Sequence, residues 1–213
     1  GESLDENLDT LVSNLKRKTY NPLPSRRVYI PKGNNAVRPL GISAIENKIV
    51  ESGIARIIGS IYEVDFFDFS YGFRPKKNAH QALKAIGDSI NNKPVNYIVE
   101  ADIKGFFDNV EHDLLLNFLR IRITDSSLLF LIEKFLKAGY IDNSHLVKTE
   151  KGTPQGSILS PMLANIFLHY VLDKWFNDTV INHVRGYADI VRYADDFICL
   201  VDGGHDANRI LNA

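Results

Sequence analysis

Residues 187–201 read Tyr187-Ala188-Asp189-Ile190-Val191-Arg192-Tyr193-Ala194-Asp195-Asp196-Phe197-Ile198-Cys199-Leu200-Val201. Two apolar, β-rich runs flank a break at Ala194-Asp195-Asp196, so the pattern predicts a strand pair over about 184–193 and 197–201. Side chains alternate along a strand, and a tight turn suspends that alternation. Consecutive carboxylates can then be aimed at one spot. Two adjacent acids between apolar strands repel unless a cation neutralises them. The plain alternative is an acidic hairpin turn, where Asp is common.

A second acid lies upstream, in Val99-Glu100-Ala101-Asp102-Ile103-Lys104-Gly105-Phe106-Phe107-Asp108. The spacing predicts a strand from Asn96 to Ile103, which puts Asp102 near its end. A carboxylate there can add a third ligand to a cation site. Hard divalent ions take oxygen ligands and keep room for water and phosphate. Two such ions about 3.5–4 Å apart can activate a hydroxyl and stabilise a leaving oxygen. The alternative for Asp102 is a helix-capping acid on a surface loop. Asp189 looks like part of a second copy of the acidic motif, but Ile190 removes the adjacent acid, so it reads as a decoy. Asp108 and Asp113 read as turn and helix-start residues.

Working outward, Ser3-Leu4-Asp5-Glu6 has the form of a capping box, and Leu4, Leu8, Leu11, Val12 and Leu15 predict a helix to about Lys18. Residues 26–30 and 37–42 flank a Gly/Asn turn and predict a hairpin. Ser43 and Glu46 suggest another capping box, for a helix to about Val64. Asn78 caps a further helix, and two more are expected over about 111–120 and 125–138. A long helix should run from about Ser160 to Asn177. Mixed helices and strands without a βαβ rhythm predict an α+β fold.

The composition is that of a globular protein: 213 residues, 45% apolar, 24% charged, net charge −1. It excludes a collagen, a disordered tail and a disulfide scaffold. No apolar run is long enough for a transmembrane helix, the acidic N-terminus does not read as a signal peptide, and a single cysteine fits a reducing compartment. Six histidines show no zinc spacing. Charge is uneven. Residues 14–84 carry 13 basic and 5 acidic side chains, against 12 and 21 elsewhere. A basic front suggests a polyanion partner, with a solvated basic surface as the alternative.

Taken in order, seven pieces resemble reverse transcriptases, most closely those of bacterial and organellar group II introns. They are Arg26-Arg27-Val28-Tyr29-Ile30-Pro31-Lys32, Arg38-Pro39-Leu40-Gly41-Ile42, Tyr71-Gly72-Phe73-Arg74-Pro75, Asp102 to Asp108, Gly152-Thr153-Pro154-Gln155-Gly156, Leu159-Ser160-Pro161 and Val191 to Asp196. The resemblance implies the fingers and palm of a right-hand polymerase, with an antiparallel palm sheet flanked by helices. Fingers are expected over residues 1–93, and palm over 94–213 with a fingers-associated insertion around 140–160. The chain would stop before the primer grip and thumb.

The resemblance also implies roles. Asp102, Asp195 and Asp196 would hold two Mg²⁺ ions, with help from the backbone carbonyl of Ile103 and with Mn²⁺ able to substitute. Lys32, Arg38, Phe107, Gln155 and Ala194 would bind the dNTP, Phe107 as the wall that excludes a 2′-hydroxyl. Phe106 would pack in the core, although a bulge would exchange the two phenylalanines. Arg26, Arg27, Tyr71, Arg74 and Tyr193 would touch nucleic acid. The expected partners are an RNA template, structured intron RNA, a DNA or RNA primer and dNTP, with no membrane and with a homodimer left open. The expected setting is a bacterial cytoplasmic ribonucleoprotein, or an organelle. A splicing cofactor without polymerase activity, or a retron or defence-associated enzyme, are the alternatives.

Overall fold

The computed structural model describes residues 3–31 and 37–213, and the chain divides into two compact units. Unit 1 comprises Gly1–Ile57 and Phe107–Ser160; unit 2 comprises Ile58–Phe106 and Pro161–Ala213. The chain parts at 57/58, 106/107 and 160/161. Residues 79–92 go with unit 2 because the helix they form packs on its sheet.

Unit 1 contains α1 (Leu4–Lys16), the hairpin β1 (Ser25–Pro31) and β2 (Val37–Ile42), and most of α2 (Ile45–Tyr62). After 106/107 come the rest of the short α4 (Phe106–Asn109), then α5 (His112–Arg120), α6 (Ser126–Lys137), β4 (Tyr140–Asp142) and β5 (His145–Val147). The strands form one sheet in the order β2-β1-β4-β5. β1 pairs antiparallel with β2, Arg26 opposite Ile42, and parallel with β4, Ser25 opposite Tyr140.

Leu115, Leu119, Ile132 and Leu136 of α5 and α6 are buried at helical spacing, as an amphipathic pair requires. Tyr20 packs on Phe135, and its hydroxyl donates to Asn47 Oδ1 at 2.8 Å. Burial, reinforced by Glu46 and Glu51, pushes this phenol up to about 12. Two sequence expectations are corrected here. Ser3 makes no side-chain cap to α1. Ser43 does not cap α2; its hydroxyl donates to the buried Glu51 carboxylate at 3.4 Å.

Unit 2 carries a three-stranded antiparallel sheet, order β3-β7-β6, from β3 (Tyr97–Asp102), β6 (Ala188–Tyr193) and β7 (Asp196–Val201). α3 (Ala79–Asn92) lies on β6, started by the expected Asn78 cap, which here makes a full capping box with Gln81. α9 (Gly204–Leu211) packs on β3. α7 (Ser160–Leu168) continues through π-helical turns at His169–Asp173 and Phe176–Val180 into α8 (Ile181–His183). The long helix expected to Asn177 is therefore present, with widened turns that composition does not announce.

Arg192 stands in the middle of this unit, fully buried on β6. Its Nε and Nη2 donate to the two oxygens of Asp173 at 2.7 and 2.5 Å. Its Nη1 donates to Asn165 Oδ1 and to the Ala194 carbonyl at 3.1 and 2.8 Å. Asn165 in turn donates to Gly72 O at 2.7 Å. A buried guanidinium needs this bidentate acceptor and these extra bonds to offset the loss of water. Removing one partner leaves a buried charge alone. Asp173→Ala should therefore lower the unfolding free energy by about 3–5 kcal/mol, read from urea denaturation. Lys84→Ala, at an exposed pair with Asp88, should leave the midpoint unmoved.

Candidate active site

The acidic turn sits in unit 2 as a two-residue connection. Tyr193 is opposite Asp196 at the end of the β6–β7 ladder, leaving Ala194 and Asp195 as the loop. Ala194 has φ +60°, the left-handed conformation that tight hairpins require at this point and that costs a non-glycine residue about 1–2 kcal/mol. Arg192 holds the carbonyl of Ala194 and so fixes this turn. From the other side, residues 69–71 lie along β6: Tyr71 N donates to Arg192 O, and Arg192 N donates to Phe69 O, at 2.8 and 2.9 Å. Gly72 then crosses the turn so closely that a Cβ would meet Ala194 N at 2.2 Å. Only glycine fits there.

Asp102 ends β3 directly opposite Asp196 on β7, and Asp195 is the next residue in the turn. The backbone thus brings the three acids to one end of the sheet. Asp102 and Asp196 are exposed, and Asp195 is half-buried. Carboxylates are acceptor-only, hard oxygen donors, which fits a divalent cation such as Mg²⁺. Among the described residues no three His, Cys, Asp or Glu side chains stand in metal-holding geometry.

Asp189 is accounted for otherwise. It lies on β6 opposite Leu200 and accepts from Ser89 Oγ and Tyr187 Oη, each at 3.1 Å, and from Ile190 N at 2.9 Å. Arg74, expected at nucleic acid, is buried. Its guanidinium donates to Glu63 at 2.8 Å, and to the Phe67 and Ser70 carbonyls at 2.6 and 2.9 Å. It ties down the 67–74 loop. Tyr71 is half-buried against Val191 and Leu200, with Lys77 Nζ 4.9 Å from its ring centre. Ala194, expected at the nucleotide, is buried under Gly72 and shapes the turn. Tyr193 remains exposed beside the acids. Phe106 is buried against Phe167, as the sequence argument required.

Ile103 follows β3 in unit 2; the other expected residues lie in unit 1, apart from Lys32, which falls outside the described residues. Arg26 and Arg38 are exposed on the hairpin, Arg38 opposite Ile30. Phe107 is half-buried; its carbonyl accepts from Thr153 N at 2.7 Å. His112, buried, donates from Nε2 to Gly152 O at 2.7 Å. The loop goes on to Gln155, whose carbonyl accepts from Gly41 N at 2.6 Å and whose amide reaches Asp108 Oδ1 at 3.5 Å. Gly156 has φ +101°, and a Cβ there would stand 2.5 Å from Gly41 O, so glycine is required again. Beyond it, Ile158 N donates to Glu51 Oε2 at 2.9 Å. Burial raises the Glu51 carboxyl, opposed by hydrogen bonds from Ile158, Ser157 and Ser43.

The profile described as reverse transcriptase (RNA-dependent DNA polymerase) matches residues 30–213. The chain belongs to the reverse transcriptase family. Enzymes of this family work with divalent metal ions, in keeping with the acids at the sheet end. The chain is 46% identical over 172 residues to the group II intron-encoded protein LtrA of Lactococcus lactis subsp. cremoris, covering 80% of this chain and 28% of that protein. It is 35% identical over 212 residues to protein YkfC of Escherichia coli K12, covering 86% of this chain and 56% of that protein. The chain thus spans about a quarter to a half of these relatives. Telomerase from Candida tropicalis, solved with a fragment of telomeric RNA, superposes with a TM-score of 0.66 at 13% identity, over 96% of this chain and 41% of that one. At that identity the likeness concerns the fold, which in this family is the right-hand polymerase with its antiparallel sheet flanked by helices.

In this member of the family, Arg192, Asp173, Asn165 and Glu51 are residues the motif reading gave no role. A cation in the run Ile190-Val191-Arg192 was a readable signal of a buried partner, but nothing local names Asp173 as that partner. Glu51 yields a pH test. Its folded pKa is raised above the usual 4.5. Its contribution to stability is therefore fully present below that value and lost as pH rises through the raised one. Glu51→Gln keeps the acceptor for Ile158 N without the charge. Its stability relative to wild type should improve as pH is raised from about 4 to 7, measured by thermal melts.

Proposed function

We propose that this chain is the RNA-directed DNA polymerase portion of a group II intron-type protein, and that it also binds the intron RNA. What carries the reading is the placement of Asp102 opposite Asp196, with Asp195 in the adjoining turn, in a chain of this family. In this reading residues 1–93, with the insertion around 140–160, act as fingers, and the rest of 94–213 as palm. The setting is a ribonucleoprotein; no helix among the described residues is long and apolar enough to cross a membrane.

Asp102, Asp195 and Asp196, with the Ile103 carbonyl, would hold two Mg²⁺ ions, Mn²⁺ being able to replace them. Metal held by these residues would supply Lewis-acid chemistry, lowering the pKa of a primer 3′-hydroxyl and offsetting the charge of the phosphates. The protein's own groups do the rest. Arg38 on β2 offers a planar fork to the triphosphate, and Lys32, by the family resemblance, a point charge. Phe107 bars a ribose 2′-hydroxyl by its bulk. Gln155, its backbone carbonyl bonded by Gly41 N, would offer its amide to the nucleotide. Tyr193, exposed beside Asp196, meets the primer end, and Arg26 and Arg27 meet the template.

Two measurements on the protein in its full reading frame test this. With an RNA template, a DNA primer and dNTP, Asp195→Asn should abolish extension and spare RNA binding. Asp189→Asn should keep extension within a few-fold of wild type. Loss of extension on Asp189→Asn, or persistence on Asp195→Asn, would overturn the assignment; RNA binding with no extension in wild type would favour a splicing cofactor. Phe107→Ala should raise ribonucleotide incorporation relative to dNTP, whereas Phe106→Ala should lower stability and leave that ratio alone.

A further inference from the structure

Unit 1 contains a polar cavity of about 390 Å³ between β1, β4 and the 148–155 loop. Its lining holds two buried polar atoms that have no hydrogen-bond partner among the described residues, Arg27 Nε and Thr153 Oγ1. Native proteins leave few such groups unsatisfied, and each one calls for an explanation. Thr153 is only 3% exposed, so bulk water does not readily supply the partner. The Arg27 guanidinium lies flat on Tyr140, its carbon 3.4 Å from the ring centre. Stacking fixes the plane of the fork and leaves its edge to bond. Lys148 and Lys151 add two exposed ammonium groups to the lining.

An orphaned guanidinium N–H, a hydroxyl and two ammonium groups together want a multidentate oxyanion. The lining also includes Asp108 and Glu150. Three bases against two acids leave one net positive charge. That matches the single charge of a phosphodiester and is far short of a triphosphate's. The volume lies near the low end of small-ligand pockets, about 300–1,000 Å³, which suits one nucleotide unit and excludes a duplex. We infer that this cavity grips one backbone phosphate of a single-stranded RNA through Arg27, Thr153 and Lys148. The inference rests on the polymerase reading and deepens it, by giving the template strand a fixed point in the first unit.

The test is anisotropy of a fluorescent single-stranded oligoribonucleotide with the 213-residue chain, titrated over a range of salt. Arg27→Met keeps the packing stem on Tyr140 and removes the charge. It should weaken binding on the order of 10-fold and reduce the log–log salt slope by about 0.7, the value of one single-strand phosphate contact. Lys148→Gln, at an exposed site that carries no packing, should change the slope in the same direction with a smaller loss of affinity. Thr153→Val keeps the shape and should weaken RNA binding while leaving the melting temperature unchanged or raised, because it removes an unsatisfied buried group. RNA affinity and slope equal to wild type in all three variants would overturn the inference. If templated extension by the full reading frame then persists, the polymerase reading stands without it. Displacement of RNA by free dNTP from wild type but not from Arg27→Met would also overturn it, making the cavity a nucleotide site. No RNA binding by wild type, together with no extension, would sink both.

Discussion

The buried pair of Arg192 and Asp173 is the contact on which the geometry of the acidic turn depends. The guanidinium reads three parts of unit 2 at once: the carboxylate of a π-helical turn, the Asn165 amide of α7 and the Ala194 carbonyl. An isolated charge at that depth would be intolerable, and a neutral residue could not bond to all three. The strained backbone at Ala194 is held by this network, and Asp195 and Asp196 follow from it in the chain. A fully buried residue thereby sets where the two adjacent acids emerge.

Unit 1 solves a similar problem by different means. Its 152–158 loop has no charge pair at its centre. Backbone groups of Phe107, Val110 and Gly41 and the side chains of His112 and Glu51 clamp it from several sides. The two loops are therefore stiffened in two ways: one by a buried cation, the other by backbone pairing with a glycine admitted at Gly156. In both, glycine marks where one backbone passes within contact distance of another, at Gly72 and at Gly156.

Much of this was legible in the sequence, because its signals are local. The hairpin of 25–42, the cap at Asn78, α5 and α6 and the β6–β7 pair all follow from periodicity and turn chemistry, and the acids were identified by their place at strand ends. What was not legible depends on partners far along the chain. The β4–β5 hairpin is short and exposed, and β4 owes its place to pairing with β1. Arg74 was expected at nucleic acid, and nothing local names Glu63 and the Phe67 and Ser70 carbonyls as its acceptors. Ser43 fits the spacing of a cap equally well, but Glu51, two turns along α2, took its hydroxyl. Sequence names which residues are polar; only the fold decides which of them is spent internally.

The sheet order β3-β7-β6 also constrains how the protein comes into being on the ribosome. β3 has one neighbour, β7, and roughly 90 residues must be made after Asp102 before Asp196 emerges. At about 5–20 residues per second that takes on the order of 5–20 s. Throughout this interval the nascent β3 has both edges open, with Tyr97 and Ile98 among its exposed side chains even in the finished protein. Such a strand is a site for wrong pairing or chaperone capture. Asp102 can take its place opposite Asp196 only once translation has passed β7.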